Sequence, residues 1–142
     1  VRKTIVQSNG DVIRLAPKGP QQVGNERTGR LVLDGDTIIA SDGDTITQRR
    51  RLSWYGIINV AVALDGDNNL LGDPVIRLHG IPIEAEIDDF LDEANADNEK
   101  AVRDWRGDLS DLRENLRLAV RRVATSWTGK KPIVDVLIVE TA

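Results

Sequence analysis

The sequence has 142 residues, of which 40% are hydrophobic and 30% are charged, and its net charge at pH 7 is −4. This composition is typical of a globular chain that buries a core without metals or disulfides, and it excludes a disordered protein. Cysteine is absent, which excludes disulfides, thiolate catalysis and cysteine-ligated zinc and fits a reducing compartment, so we expect a cytoplasmic protein. No run reaches the roughly 18 apolar residues that span a bilayer, so no membrane partner is expected.

The first part of the chain consists of short β-prone runs separated by turn signals. The runs are TIVQ, VIRLA, RLVLDGD, TIIASDGD and TI, and a loop is expected over PKGPQQVGNERTG. Asn9-Gly10 and Asp34-Gly35 supply the positive φ that tight hairpin turns require. We therefore predict small strands that form a meander, too short to close a core of its own.

A change of pattern at Leu52 predicts the start of a second part. The run GIINVAVAL, residues 56–64, alternates between two faces as a β-strand does. One face carries Ile58, Val60, Val62 and Leu64, and the other carries Ile57, Asn59, Ala61 and Ala63. Such a strand, with β-branched residues and one small-residue face, suits a sheet onto which a helix packs closely. A partner strand is predicted within residues 70–79, with regular pairing only beyond Pro74.

A first helix is predicted over residues 83–94. Its apolar residues recur with a helical period, and acids crowd its first turns, where the helix dipole favours them. The run at 95–98 is expected to interrupt this helix. Residues 101–105 either extend the next helix backwards or form a short helix of their own.

The second helix has the clearest pattern in the sequence. Its apolar residues step by three and four positions from Leu109 to Trp127. Asp108 or Ser110 is the expected N-cap, and Gly129 is the expected stop. The run IVDVLIVE that follows has the composition and length of a strand. We therefore predict an α+β fold, a small three-stranded sheet with two helices packed on one face, preceded by a short β meander and linker.

Enzymatic motifs are not visible in this sequence. The run Asp65-Gly66-Asp67-Asn68-Asn69 begins like a calcium loop, but Leu70 and Ile76 stand where such a loop needs glycine and glutamate, so we predict a turn. His79 is the only histidine, and we expect a structural or surface role for it. No phosphate-binding loop or nucleophile elbow is present. We predict no catalytic residue, no metal ligand and no cofactor.

Charge is segregated along the second part. Residues 84–114 contain twelve acids and four bases, whereas residues 115–131 contain five bases and no acid. The bases of two clusters are candidates for contact with RNA or with another subunit. They are Arg49, Arg50, Arg51, Arg117, Arg121, Arg122, Lys130 and Lys131. A solvated face is the alternative. Trp54 and Tyr55 adjoin the first cluster and suit base stacking, whereas Trp127 falls on an apolar face and is expected in the core.

Four segments, in order, resemble the C-terminal part of ribonuclease J, especially its alphaproteobacterial versions. They are NGDVIRLAPKGP, GRLVLDGD, RRRLSWYGIINVAVALD and GKKPIVDVLIVE. The resemblance implies a bacterial zinc-dependent ribonuclease with a metallo-β-lactamase core and an inserted β-CASP domain, acting as 5′-to-3′ exonuclease and endonuclease in RNA processing and decay. The family's zinc ligands lie in a His-x-His-x-Asp-His motif and in further residues upstream, and nothing here matches them.

The resemblance also implies how the chain is organised. The chain begins with valine and lacks methionine, which indicates a piece of a longer protein. Residues 1–51 resemble the last strands of the catalytic domain and its linker, and residues 52–142 resemble the C-terminal domain, which in the family is associated with dimer or tetramer formation. The expected partners are a second copy of the chain and the catalytic domain of the parent.

We therefore expect a non-catalytic assembly domain of ribonuclease J. Its association should depend on salt if the acidic and basic helix surfaces pair between subunits. The alternative is an RNA-binding accessory domain that uses Arg49, Arg50, Arg51 and the basic helix at 117–131. An independent enzyme would require nuclease activity with added zinc or manganese, and we expect none.

Overall fold

The computed structural model describes residues 4–141. These residues divide into two compact units, with the division between Thr47 and Gln48. The first unit is built of hairpins, and the second contains the three-stranded sheet and the long helices. The domain boundary predicted after Arg51 stays a prediction.

Two separate hairpins make up most of the first unit. Strands β1 (Asp11–Ala16) and β2 (Gly19–Asn25) form one antiparallel pair, and β3 (Leu31–Asp34) and β4 (Thr37–Ala40) form the other. The hairpin turn predicted at Asp34-Gly35 joins β3 to β4, with Gly35 at φ +60°, whereas the turn at Asn9-Gly10, with Gly10 at φ +93°, does not join two strands. The run TIVQ is not a strand, and the loop predicted over PKGPQQVGNERTG contains β2, because β1 satisfies its backbone hydrogen bonds by pairing with that polar segment.

Helix α1 (Asp44–Tyr55) corrects the prediction of a strand at Thr45-Ile46 followed by a linker. Asp44 lies in its first turn, where the helix dipole favours an acid, and its arginines are good helix formers. The two β-branched residues were therefore a misleading local signal. The arginines at 49–51 lie on this helix and not on a linker.

The sheet of the second unit has the order β6-β5-β7. Strand β5 (Ile57–Leu64) is central, pairs antiparallel with β6 (Val75–His79) and pairs parallel with β7 (Ile133–Glu140). Regular pairing of β6 begins directly after Pro74, as predicted. The predicted α+β fold with a small three-stranded sheet is confirmed.

Helices α2 (Ile87–Asp104) and α3 (Leu109–Thr128) connect β6 to β7. The interruption predicted at 95–98 is wrong, because α2 continues through it to Asp104. The N-cap of α3 is Asp108, whose carboxylate accepts a hydrogen bond from the backbone of Asp111 at 2.9 Å in a reciprocal capping box. Gly129 ends the helix with φ +67°, as predicted.

Both long helices cover the face of the sheet that carries the larger residues. The buried cluster joins β5, the outer strands and both helices through Ile58, Val60, Val62, Leu64, Ile76, Phe90, Ala94, Val102, Leu112, Leu116, Val120, Val123, Ala124, Val134 and Val136. Burial of the larger apolar residues removes more apolar surface from water than burial of the opposite face could. The small-residue face of β5 therefore stays uncovered by the helices.

Asn98 is fully buried in this core, on α2. Neither of its side-chain polar atoms has a hydrogen-bond partner among residues 4–141. We expect Asn98→Leu to raise the free energy of unfolding by about 1 kcal/mol or more, because an unsatisfied buried amide costs about 1 to 3 kcal/mol. Urea denaturation measures this change. Asn115→Leu, at an exposed position of α3, is the control for helix propensity. Equal effects of the two substitutions would contradict a burial cost at Asn98.

Candidate functional site

A basic cleft of about 680 Å³ lies in the second unit, where α1 ends, α3 passes and β7 begins. It is lined by Arg51, Trp54, Tyr55, Arg117, Arg121, Gly129, Lys130, Lys131, Pro132, Ile133 and Val134. Five of these residues are cationic and none is acidic. One member of the first predicted basic cluster, Arg51, therefore shares a cleft with four members of the second.

Gly56 makes this convergence possible. It joins α1 to β5 with φ +72°, and a Cβ atom there would lie 2.6 Å from the carbonyl oxygen of Gly80 and 2.8 Å from that of His79. Only glycine tolerates both the conformation and the close approach. The carbonyl oxygen of Gly56 accepts a hydrogen bond from the backbone of Ile133 at 3.2 Å, which brings the end of α1 to the start of β7.

A side-chain contact also links the two edges of the cleft. The Nζ atom of Lys130 donates a hydrogen bond to the carbonyl oxygen of Trp54 at 3.4 Å. Trp54 is 72% exposed, and Tyr55 is exposed beside it. Exposed aromatic rings next to cations are the arrangement on which bases of single-stranded nucleic acid stack.

Arg117 is the one cation of the cleft with a strong partner among the described residues. Its guanidinium donates two hydrogen bonds of 2.6 Å to the carboxylate of Glu114, one turn earlier on α3. This fork lowers the pKa of Glu114, with a further contribution from the charge of Arg121, and it raises the pKa of Arg117. The charge of Arg117 is thus largely compensated.

The other cations of the cleft are available for an anionic ligand. Arg51, Arg121, Lys130 and Lys131 form no ion pair with any residue between 4 and 141. Four cations without an ion pair on one concave surface attract a polyanion such as a nucleic-acid backbone. The net charge of −4 is therefore no measure of the local field.

Three of the predicted contact residues lie outside the cleft lining. Arg49 and Arg50 are exposed positions of α1, and they do not line it. Arg122 forms an ion pair with Asp97 of α2, with 3.6 Å between Nη1 and Oδ2. At that point the acidic and basic helix surfaces pair within the chain.

Trp127 belongs to the helix layer, as predicted. Its ring packs against the core and meets Phe90 edge to face, with ring centroids 5.9 Å apart. Its indole nitrogen donates a hydrogen bond of 2.7 Å to the carboxylate of Glu93. This residue fastens α3 to α2 and is not a stacking platform.

The prediction that residues 65–69 form a turn is confirmed. One carboxylate oxygen of Asp65 accepts hydrogen bonds from the backbone of Asp67 at 2.9 Å and of Asn69 at 2.8 Å. The bond from Asn69 is the main cause of the lowered pKa of Asp65.

Within residues 4–141, no group of three or more His, Cys, Asp or Glu side chains is arranged to hold a metal ion. His79 is exposed at the end of β6.

A second surface was not predicted from the sequence: the face of the sheet opposite the helices. None of its residues is buried. Val75 is 53% exposed, Leu137 is 61% exposed and Val139 is 45% exposed. The full face comprises Ile57, Asn59, Ala61, Ala63, Val75, Arg77, His79, Ile133, Asp135, Leu137 and Val139. We call it the open face. The alternation in β5 and β7 was the signal that could have found it.

These features define a small α+β domain in which two helices cover one face of a three-stranded mixed sheet, with a basic cleft at the start of its last strand. No helix among residues 4–141 is long and apolar enough to cross a membrane. The chain belongs to the ribonuclease J C-terminal domain family, whose model matches residues 44–141.

A relative supports this assignment. The chain is 39% identical over 136 residues to ribonuclease J of Sinorhizobium meliloti (strain Sm2011 / Rm2011 / 2011), in a match that covers 92% of this chain and 24% of the relative. The chain thus spans about a quarter of the length of the curated relative that it matches. The resemblance found in the sequence is confirmed.

The Glu114–Arg117 fork predicts a measurable titration. The carboxyl of Glu114 should titrate below the usual range of a glutamate, because the guanidinium stabilises its charged form and lowers its pKa. A lowered folded-state pKa means that the pair stabilises the fold above the unfolded-state pKa and that this contribution is lost as pH falls through the folded value.

Carbon NMR of the Glu114 carboxyl against pH measures this pKa. Arg117→Gln should move the titration midpoint up towards the ordinary value, whereas Arg103→Gln, on α2, should leave it in place. A midpoint that does not respond to loss of Arg117 would contradict the assignment.

Proposed function

We propose that this chain is a non-catalytic assembly domain, which joins copies of a ribonuclease J-type enzyme that processes and degrades RNA. The observation that carries the proposal is the open face. Exposed apolar patches of a few hundred Å² on a protein surface are often functional, and many mark sites of protein association. The family assignment supports the parent enzyme, and the lack of cysteine is consistent with a cytoplasmic setting.

In the parent ribonuclease, catalysis and subunit assembly then belong to different domains. Zinc-dependent 5′-to-3′ exonuclease and endonuclease chemistry belongs to a catalytic domain, and the hairpins of the first unit are the last strands and linker of that domain. Residues 52–142 contribute contacts between subunits and contacts with that catalytic domain. No catalytic or zinc-binding residue is assigned to this chain.

Self-association of the isolated chain tests the proposed function. We expect sedimentation velocity to show a reversible shift from monomer to dimer or higher oligomer as the concentration rises into the high micromolar range. The apolar part of the open face supplies the driving force. A strict monomer throughout that range would count against assembly as the role of this chain.

A second function, contact with single-stranded RNA, is favoured by the basic cleft. Four cations that form no ion pair among residues 4–141 line the same concave surface as the exposed residue Trp54. Cations along the groove bind the phosphates, and aromatic rings stack with the bases without strong sequence preference. The cleft would then hold part of the parent enzyme's substrate.

RNA affinity of a triple variant tests this second function. Arg51→Ala, Arg121→Ala and Lys130→Ala together should weaken binding of a short single-stranded RNA by about tenfold or more at low salt. They should also flatten the dependence of log K on log[salt], by about 0.7 for each phosphate that the variant no longer neutralises. Fluorescence anisotropy over a salt series measures both effects.

A matched triple variant separates the cleft from overall charge. Arg27→Ala, Arg50→Ala and Arg113→Ala together remove the same number of charges from exposed positions outside the cleft lining. We expect this control to bind RNA nearly as the unmodified chain does. Equal losses of affinity in the two triple variants would remove the cleft from RNA binding.

A further inference from the structure

We propose that the open face of one copy packs against the open face of a second copy, about a two-fold axis parallel to β5, with Arg77 of each copy paired with Asp135 of the other. The inference rests on the assembly function proposed above and specifies its surface and symmetry.

The strand register places the open-face residues in rows that run across the three strands. In order from the start of β5, the rows are His79-Ile57-Ile133, Arg77-Asn59-Asp135, Val75-Ala61-Leu137 and, beyond the end of β6, Ala63-Val139. Three of the rows are mainly apolar. The second row is polar throughout, with a cation on the β6 edge, an amide in the centre and an anion on the β7 edge.

The two charges of this polar row do not satisfy each other. Among residues 4–141, neither Arg77 nor Asp135 forms an ion pair. The central strand separates them, so their backbones lie about 10 Å apart. A partner that covers this face must present opposite charges at both edges, because a buried charge without a partner is costly.

A second copy meets this requirement under one kind of symmetry. A two-fold axis that runs parallel to β5, between the two sheets, exchanges the edges, so that β6 of one copy lies over β7 of the other. Arg77 then meets Asp135 of the second copy, and the same pair forms again on the other side of the axis. Asn59 meets Asn59, and amides can donate to and accept from each other. Such an interface is isologous and closes at the dimer.

A two-fold axis perpendicular to the strands would make the contacts of Arg77 and Asp135 between the two copies unfavourable. It places each strand over its own counterpart. With the axis on the polar row, Arg77 faces Arg77 and Asp135 faces Asp135; away from that row, Asp135 faces an apolar residue of β7, and Arg77 faces Val75, His79 or no residue of β6. Like charges held together, or charges buried against apolar side chains, oppose association. The polar row therefore selects the axis parallel to β5.

The apolar rows fit the same arrangement. Val75 of one copy lies over Leu137 of the other, and Ala61 lies over its own counterpart, so small residues meet at the centre. Aligned sheets pack face to face at about 10 Å. The face measures roughly 15 Å by 25 Å, from three strands and eight residues, so two copies cover about 750 Å² in total, which is below the roughly 1,200 Å² of standard specific interfaces and typical of weak, transient contacts. The dimer is therefore reversible and sensitive to its two charge pairs.

Charge exchange between copies tests the pairing directly. Arg77→Glu alone places two like charges at each pair, and Asp135→Arg alone does the same with the opposite sign. We expect each single variant to dimerise at least tenfold more weakly than the unmodified chain in sedimentation velocity. An equimolar mixture of the two variants should form heterodimers with an affinity near that of the unmodified chain, because both pairs are then attractive.

The mixture distinguishes contact between copies from an effect within one chain, which mixing cannot rescue. Arg113→Glu, an equal change of charge on the exposed side of α3, should leave dimerisation unchanged, and circular dichroism verifies that every variant is folded. Single variants that dimerise normally, or a mixture that stays monomeric, would overturn the pairing while the assembly function stands. A monomeric unmodified chain would overturn both.

Discussion

The alternation of large and small residues along β5 is the constraint on which the second unit depends. The face of β5 that carries Ile58 and Val60 lies in the core, and both long helices pack on that side of the sheet. Because successive side chains of a strand point to opposite faces, a slip of one residue would bury Asn59 instead and expose the core residues. The register that builds the core therefore also determines which residues remain on the open face.

Contacts between α2 and α3 use some of the acidic and basic side chains that are segregated along the sequence. Asp97 pairs with Arg122, and Glu93 accepts the indole hydrogen of Trp127, so two acids of α2 hold α3 in place. The Asp97–Arg122 ion pair is partly exposed to solvent and therefore contributes little stability. Some charged side chains that the sequence suggests for binding therefore form contacts within the chain. The cleft and the open face retain only a few of them.

Elements with strong local signals could be predicted from the sequence. The alternation in β5 and the capping residues Asp108 and Gly129 of α3 needed no long-range information, and the fold class followed from their order. Helix α1 was missed because Thr45 and Ile46 favour strands locally, while its end depends on the close packing of Gly56 against another part of the chain. The continuation of α2 was missed because a buried Asn98 in a polar run gives a loop signal.

The location of the cleft could not be predicted, because it depends on the parallel pairing of Ile57 with Ile133 across a long stretch of chain. That pairing brings the start of β7 to the end of α1. Under the proposed two-fold axis parallel to β5, the starts of both β7 strands lie at the same end of the dimer. The two basic clefts then lie at one end, on either side of the axis, so assembly doubles the positive charge presented there. Assembly and RNA contact thereby become coupled, because one polyanion able to reach both clefts binds the dimer more tightly than either monomer.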